Sequence, residues 1–253
     1  EKVAGSLGAL YGFAAAEVAC DAHPEYRSTQ FAHSLGVPVF AVQHHSAHVC
    51  ACMADNELDP PVLGVAWDGT GYGLDGTIWG GEFLHVTGES FRRVATWRSF
   101  RLPGGEAAIR EPRRTALGVL YELFGERVLG MKDLPTVEAF ASREKEVLGA
   151  MLAKGLNSPR TTSVGRLFDA AASLMGLLQE SRFEGQAAMA VEFALDDRAT
   201  GGTYPICVRR NPAEEVANRM PAERPEVLGN PVPAIIIDWE PMIWGMVEDV
   251  RRQ

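Results

Sequence analysis

His44 and His48 stand four residues apart in the run Val42-Gln43-His44-His45-Ser46-Ala47-His48. On a helix, side chains so spaced share one face, one turn apart, and two imidazoles there can grip one metal ion. Neutral imidazoles suit Fe²⁺ or Zn²⁺, which then take a carboxylate or water to complete the shell. Asp68 closes an apolar run further on and is the natural third candidate. Cys52 continues the histidine stripe, but it lies two turns beyond His44, about 12 Å along the axis, so one ion cannot take both. His45 points about 100° away from His44 and reads either as a substrate contact or as a solvated side chain. Spacing alone leaves a second reading open, a helix start whose histidines hold nothing, because the pattern is short.

The residues after Asp68 are Gly69-Thr70-Gly71-Tyr72-Gly73. Gly69, Gly71 and Gly73 would let the backbone approach a ligand, and the Thr70 hydroxyl and the amides could donate to phosphate-like oxygens. The competing reading is a hairpin turn, for which Leu74-Asp75-Gly76-Thr77 is suited. A third cluster, Leu102 to Glu106 with Ile109-Arg110-Glu111-Pro112-Arg113-Arg114, reads as an anion clamp or as a loop before a charged helix start. Asp169, Glu184 and Gly185 lie at predicted helix ends. Carboxylates so placed can accept ribose hydroxyls, and they can equally be plain helix caps, the reading the residues alone favour.

The segments that must position these residues follow from periodicity. Residues 4–16 predict a helix, with Leu7, Leu10, Tyr11 and Ala14 on one stripe. Val18-Ala19-Cys20-Asp21 predicts a buried strand ending in a carboxylate, followed by a turn over 22–26 and a helix capped by Ser28 that ends near Ser34. Residues 37–42 predict a strand, and 44–56 a helix with Val49 and Met53 on its apolar side. Val62 to Trp67 is continuously apolar and predicts a strand covered on both faces. Residues 78–86 and 91–100 predict further strands about a turn at 87–90. From Pro112 the pattern changes to helices over 113–124, 136–154, 165–178 and 184–195, with Pro159 and Ser163–Gly165 marking the third start. Residues 196–233 predict an irregular excursion in which Tyr204–Val208 is the best strand. A strand at 235–237 follows, and Pro241 opens a last helix.

Strands of both kinds with interleaved helices predict an α/β fold with a mixed sheet. The chain reads as one domain fragment: a sheet-rich part over 1–111, a helical part over 112–195, and over 196–253 the excursion and the start of the next subdomain. The shift near 112 also fits an insertion within one fold.

The chain has 253 residues, 46% hydrophobic and 23% charged, enough for a real core. A formal charge of −9 argues against a protein that wraps nucleic acid. Four cysteines without a C-x-x-C pair read as reduced thiols in a cytoplasmic protein. No apolar run is long enough to span a bilayer. Leu7–Ala19 has the apolarity of a signal-peptide core, but Glu17 and the lack of a basic start argue against one. The start at Glu1 rather than Met reads as a cut from something longer. There is no nucleophile elbow and no P-loop, so nothing suggests covalent catalysis by the chain's own side chains.

Together the stretches Cys20–Tyr26, Val42–His48 and Trp67–Phe83 resemble the C-terminal carbamoyltransferase domain of the HypF family of nickel–iron hydrogenase maturation factors. Leu102–Gly105, Arg110–Arg113, Ser163–Asp169 and Glu184–Ala188 continue the match in order. The resemblance spans residues 18 to 193 and is looser beyond. It implies an actin and sugar-kinase-like (ASKHA) fold, shared with the tRNA threonylcarbamoyl transferases, here incomplete. It implies that an upstream domain makes carbamoyl adenylate from carbamoyl phosphate and ATP, and that the domain resembling this chain passes the carbamoyl group to the C-terminal cysteine of HypE. HypE then dehydrates the product toward the cyanide ligand of the hydrogenase iron. By the same resemblance His44, His48 and Asp68 are ligands of a divalent metal, Fe or Zn, and Asp169, Glu184 and Gly185 lie at the nucleoside. The chain departs from the family pattern by omission of the upstream domains and of a late S-G-G-V-F-Q-N-like segment and aspartate–glycine segment. The expectation is therefore that the fragment is inactive alone. Two rivals stand beside this reading: an O-carbamoyltransferase of natural-product tailoring, against which the Asp21–Tyr26 and Phe183–Ala188 phrasings speak, and a non-catalytic module that docks a partner.

Overall fold

The computed structural model describes residues 2–88, 90–195, 201–212 and 232–252. The chain starts with helix α1 (Lys2–Tyr11), strand β1 (Val18–Asp21), α2 (Arg27–Ser34), β2 (Val39–Val42) and α3 (His44–Asp55). β1 and β2 pair in parallel with Asp21 opposite Val42, so both strands end together just before α3 begins. α3 starts where it does because the Gln43 side chain accepts from Ser46 N at 2.9 Å and satisfies a free amide of the first turn. The first residue inside that cap is His44. The cap therefore places the leading histidine at the carboxyl ends of the two parallel strands.

The main sheet follows: β3 (Val62–Tyr72), β4 (Ile78–Val86), β5 (Phe91–Trp97) and β6 (Phe100–Arg101). β3, β4 and β5 form an antiparallel meander. After α4 (Glu106–Arg110), α5 (Pro112–Phe124), a 3₁₀ segment at Gly125–Gly130, α6 (Pro135–Glu138) and α7 (Ser142–Lys154), the chain returns as β7 (Arg160–Thr161), parallel to β4 and antiparallel to β6. Helices α8 (Val164–Leu174) and α9 (Gln186–Phe193) come next. β8 (Cys207–Arg210) and β9 (Ile235–Asp238) close the sheet, β9 lying parallel to β5, and α10 (Glu240–Arg252) packs behind it.

One hydrophobic core joins α5, α7, α8 and α10 to the sheet through Trp97, Phe100, Leu117, Leu120, Leu167 and Trp239. A smaller core of Val49, Met53, Ala66, Leu84 and Val86 fastens α3 onto β3 and β4. Burying side chains of this size stabilises by roughly 1.5–3 kcal/mol each, so α3 is held against the sheet by apolar packing rather than by its polar face. At Gly64 that packing leaves no room: a Cβ there would stand 2.4 Å from the Val49 methyls.

Most predicted elements occur, with informative departures. α1 stops at Tyr11, and none of its residues is buried; of the predicted stripe Ala14 lies beyond the helix, and Leu7 lines an apolar groove with Phe31, Ala32 and Leu35. α2 is preceded by Tyr26 with no side-chain cap, and Ser28 lies inside the first turn. β3 does not end at Trp67 but continues through the glycines to Tyr72. Nor is it covered on both faces: Leu63, Val65 and Trp67 are 61%, 52% and 57% exposed. An apolar run shows that a strand wants burial but not what supplies it. The stretch 136–154 is broken between α6 and α7 around Ala139–Ala141, and helix 165–178 ends at Leu174. In the excursion the described strand is Cys207–Arg210 rather than Tyr204–Val208, and residues 196–200 and 213–231 lie outside the described residues. No described helix is long and apolar enough to cross a membrane.

Candidate active site

α3 and β3 meet at the carboxyl ends of β1 and β2. His44 Nε2 lies 3.0 Å from Asp68 Oδ2 and 3.2 Å from His48 Nε2, and His48 Nε2 lies 3.6 Å from Asp68 Oδ2. Ligand atoms of His44, His48 and Asp68 all fall within 4.8 Å of one another. Two nitrogens and a carboxylate oxygen converging in this way fit a divalent cation of the Fe²⁺ or Zn²⁺ kind. No cation is part of the structure, and the fit rests on the donors alone.

The orientation of His44 has its own support. Asp21, at the end of β1, places Oδ2 2.8 Å from His44 Nδ1, and its Oδ1 accepts from His23 N at 2.7 Å. A carboxylate on Nδ1 fixes the imidazole so that Nε2 is the free donor, which is the usual second partner of a metal-bound histidine. Asp21 reads from sequence only as a strand-end carboxylate. Its place beside His44 depends on the parallel pairing of β1 with β2, which no local pattern announces. The Tyr26 hydroxyl is held protonated to higher pH, first by burial and then by the negative field of Asp21 and Asp68.

His45 is neither solvated nor turned toward open space. It is fully buried, and burial lowers its pKa to about 4, against the raising effect of nearby Glu82. Gln43 Nε2 lies 3.2 Å from its Nδ1. Its ring fills the space beside Gly71, where a Cβ would stand 2.3 Å from His45 Cε1.

The glycine segment is a bulged strand closed by a tight turn, not an open loop. Trp67 pairs with Gly81 and Gly71 with Trp79, so Asp68, Gly69 and Thr70 together face the single residue Gly80. The bulge re-aims Asp68 out of the ladder and toward the histidines. Gly73 and Gly76 make the turn with Thr77, as the hairpin reading of Leu74–Thr77 requires. Each glycine makes room for something specific. Gly71 accommodates His45, Gly73 accommodates the Trp79 ring, and Gly69 accommodates Arg166. Thr70 is exposed.

Helix α8 presses its N-terminus on the bulge. The Ser163 hydroxyl accepts from Arg166 N at 3.1 Å, capping the helix, and donates to Asp68 O at 2.5 Å, with Gly69 O also 3.0 Å away. A Cβ on Gly165 would lie 2.8 Å from Gly69 Cα, so the backbones touch only because residue 165 is glycine. Beneath them, buried Glu82 pairs with Arg93 at 2.5 Å and also accepts from the Thr162 hydroxyl. Arg93 continues to Asp75 at 2.9 Å and lies over the Trp79 ring. This network ties the hairpin turn to the segment before α8. The wide sequence separations among its members hide it from motif reading.

Asp169, one turn into α8, is buried beside Arg166, with Arg166 Nη1 2.5 Å from Asp169 Oδ2. Burial pushes the Asp169 carboxyl up to about 6, while the guanidinium pulls the other way. Glu184 and Gly185 are exposed, and Gly185 takes φ +78° directly before α9. Helices α8 and α9 pack together. Within the Arg110–Arg114 cluster two arginines are used internally: Arg113 pairs with Glu111 at 2.7 Å and Glu144 at 3.3 Å, and Arg114 with Glu111 at 2.8 Å, while Arg110 is exposed.

Residues 64–253 match the family model described as the carbamoyltransferase, Kae1-like domain, second subdomain, and residues 1–55 match the HypF Kae1-like domain. The fold and these matches thus define part of an actin-type (ASKHA) domain of the Kae1-like carbamoyltransferase class. The chain belongs to the HypF family. Carbamoyltransferase HypF of Synechocystis sp. is 37% identical over 266 residues, which is all of this chain and 32% of that protein. A HypF homolog of Cupriavidus necator is 43% identical over 76% of this chain and 49% of its own length. A crystal structure of full-length HypF, in its phosphate- and nucleotide-bound form, superposes with a TM-score of 0.83 at 34% identity, covering 99% of this chain and 35% of that one. The chain therefore spans between a third and a half of the length of these relatives.

Proposed function

We propose that the chain is the part of a cytoplasmic HypF-type carbamoyltransferase that receives carbamoyl adenylate and presents its carbamoyl carbon to a thiolate of HypE. The observation that carries this reading is the convergence of His44, His48 and Asp68 beside a bulged strand and a capped helix N-terminus. The relatives' shared name as carbamoyltransferases supports it, as does the nucleotide in the HypF structure most of this chain superposes on.

In this reading His44, His48 and Asp68 hold a divalent ion, and Asp21 keeps His44 in the tautomer that offers Nε2. A cation so held would act as a Lewis acid, polarising the carbamoyl carbonyl. The thiolate sulfur of the HypE C-terminal cysteine forms the new S–C bond. The C–O bond of the mixed anhydride breaks, and AMP leaves with the electron pair. The absence of a nucleophile elbow in the sequence agrees with a nucleophile supplied by the partner. Thr70 lies exposed on the bulge beside Asp68, on the side assigned to the phosphate; the Gly69 amide donates to Asp68 Oδ1 at 2.6 Å, and Gly69, Gly71 and Gly73 serve that surface through their close packing. Asp169, Glu184 and Gly185 are assigned to the ribose. An upstream domain of the same polypeptide supplies the adenylate from carbamoyl phosphate and ATP. Residues 1–111, 112–195 and 196–253 are successive parts of one domain rather than independent units, and the 253-residue chain alone is expected to transfer poorly.

The test is metal content and transfer in the full-length gene product. Replacing both His44 and His48 by Ala should strip bound Fe or Zn, as read by elemental analysis, and abolish carbamoylation of a HypE C-terminal cysteine. Formation of carbamoyl adenylate should persist. Unchanged metal content in the double variant would refute the assignment.

A further inference from the structure

Gln43 is an uncommon residue to find at the start of a helix. The preferred N-caps are Asn, Asp, Ser and Thr, whose short side chains turn back onto the first amides. Glutamine carries an extra methylene, and burying it costs more rotamer freedom than burying a serine. Gln43 is only 4% exposed, and its Oε1 caps α3 all the same by accepting from Ser46 N at 2.9 Å. The extra reach is used at the other end of the amide. Nε2 donates to Tyr72 O at 3.0 Å and lies 3.2 Å from His45 Nδ1.

A single orientation of the amide satisfies these neighbours. Ser46 N can only donate and Tyr72 O can only accept, so the oxygen faces the helix and the nitrogen faces the strand. The second N–H of the amide then falls to His45 Nδ1, which must accept. Nε2 of that ring has no hydrogen-bond partner among the described residues, so the Gln43 amide holds the ring. Its orientation matters to the site because His45 and His44 both bear on Gly71. Tyr72 matters because it ends the strand that carries Asp68. Ser163 pins the bulge at Asp68 O, and Gln43 pins the far end of the same segment. One buried amide thus joins the first turn of α3, which bears His44, to the stretch of β3 that bears Asp68.

We propose that Gln43 is a positioning residue of this site: by holding the α3 start, the His45 ring and the Tyr72 carbonyl with one amide, it sets the spacing between the two imidazoles and the Asp68 carboxylate, and so how tightly a divalent cation is held. This rests on the metal reading given above and adds to it the residue that joins the two ligand-bearing elements. Groups that orient ligands from behind commonly change metal affinity by about 10- to 100-fold.

The probe is Zn²⁺ alone, titrated into full-length protein in competition with a chromophoric chelator. The double variant His44→Ala with His48→Ala serves as the blank for any other site. Gln43→Asn and Gln43→Ser both offer a preferred cap, and neither reaches Tyr72; Gln43→Ala offers no cap. The three should differ in thermal stability, with Ala the lowest, yet agree in a Zn²⁺ affinity about 10- to 100-fold below wild type. Co²⁺ in place of Zn²⁺ gives a second readout, one that a loss of stability does not move. Its d–d absorption should change in the Asn variant because the ligand geometry changes. Gln43→Glu keeps the length and the cap acceptor but has no N–H for Tyr72 or His45. It should change the Co²⁺ spectrum even if the shorter side chains fail to fold. Zn²⁺ affinity that follows stability, recovered in Asn and Ser and lost only in Ala, would make Gln43 a cap alone and overturn the proposal. Wild-type affinity in all three, or a wild-type Co²⁺ spectrum in Gln43→Glu, would overturn it too. Wild-type protein that binds no more Zn²⁺ than the blank would remove the metal reading itself, and this assignment with it.

Discussion

At the scale of single residues, the site is built by close contacts that tolerate little substitution. Gly71 is the sharpest case. Its Cβ would meet His45 Cε1 at 2.3 Å and His44 Cδ2 at 3.0 Å, so Gly71→Ala must displace one ring or the other. We expect a stability loss of about 1–3 kcal/mol by urea unfolding, the range for overpacking, together with reduced metal content. Metal content equal to wild type would show that the rings move without consequence. Asp169 makes a pH-dependent prediction. Its folded-state pKa, about 6, lies above that of the unfolded chain, so its contribution to stability is complete below about pH 4 and is lost as pH rises through about 6. Asp169→Asn should remove a decline on the order of 2 kcal/mol between those pH values. Parallel unfolding free energies for wild type and variant across that window would contradict it. Sequence made the pairing of His44 with His48 visible because a helical turn is local, and it pointed to Asp68 because an apolar run ends there. Asp21 and Arg166 were written in the chain just as plainly, inside Cys20–Tyr26 and Ser163–Asp169. Their placement comes from a contact 23 residues away for Asp21 and across the β3–α8 packing for Arg166, which no spacing rule reaches.

At the scale of elements, the joint between β3 and α8 decides the geometry of the site. Ser163 serves both sides of it, capping α8 through Arg166 N and gripping the bulge through Asp68 O. Ser163→Ala should cost about 1–2 kcal/mol, a cap plus a buried hydrogen bond. It should also weaken metal retention during dialysis against a chelator, because Asp68 loses its backbone anchor. A variant with the stability cost and unaltered metal retention would confine Ser163 to capping. Helix starts were legible here: Ser163 before α8, Pro112 at the start of α5 and Pro241 in the first turn of α10 stand where capping and proline rules put them. β3 was misread for a physical reason. Three glycines in six residues look like a loop, yet glycine in a strand also marks a bulge or the close approach of another backbone, and here it marks both.

At the scale of the whole molecule, two surfaces follow from the topology. β3 pairs only with β4 among the described strands, and it turns Leu63, Val65 and Trp67 outward. Such a patch on a sheet edge favours association. Leu63→Lys combined with Val65→Lys should make the 253-residue chain more monodisperse in light scattering at high concentration. Equal association of both forms would place the contact elsewhere. The other surface is internal. β9 completes the sheet by lying beside β5, and Arg98 reaches across 140 residues of chain to Asp238 and, two residues on, to Glu240, while Trp239 donates to Arg98 O at 2.6 Å. Closing a loop of that length costs entropy before any contact repays it, and folding rates fall as such non-local pairs accumulate. During synthesis α3, the β3–β4 hairpin and α8 emerge from the ribosome well before β9 exists. The nascent chain must therefore wait with the flank of β5 bare, and the order of translation, not only the final energy, governs how safely this domain is made.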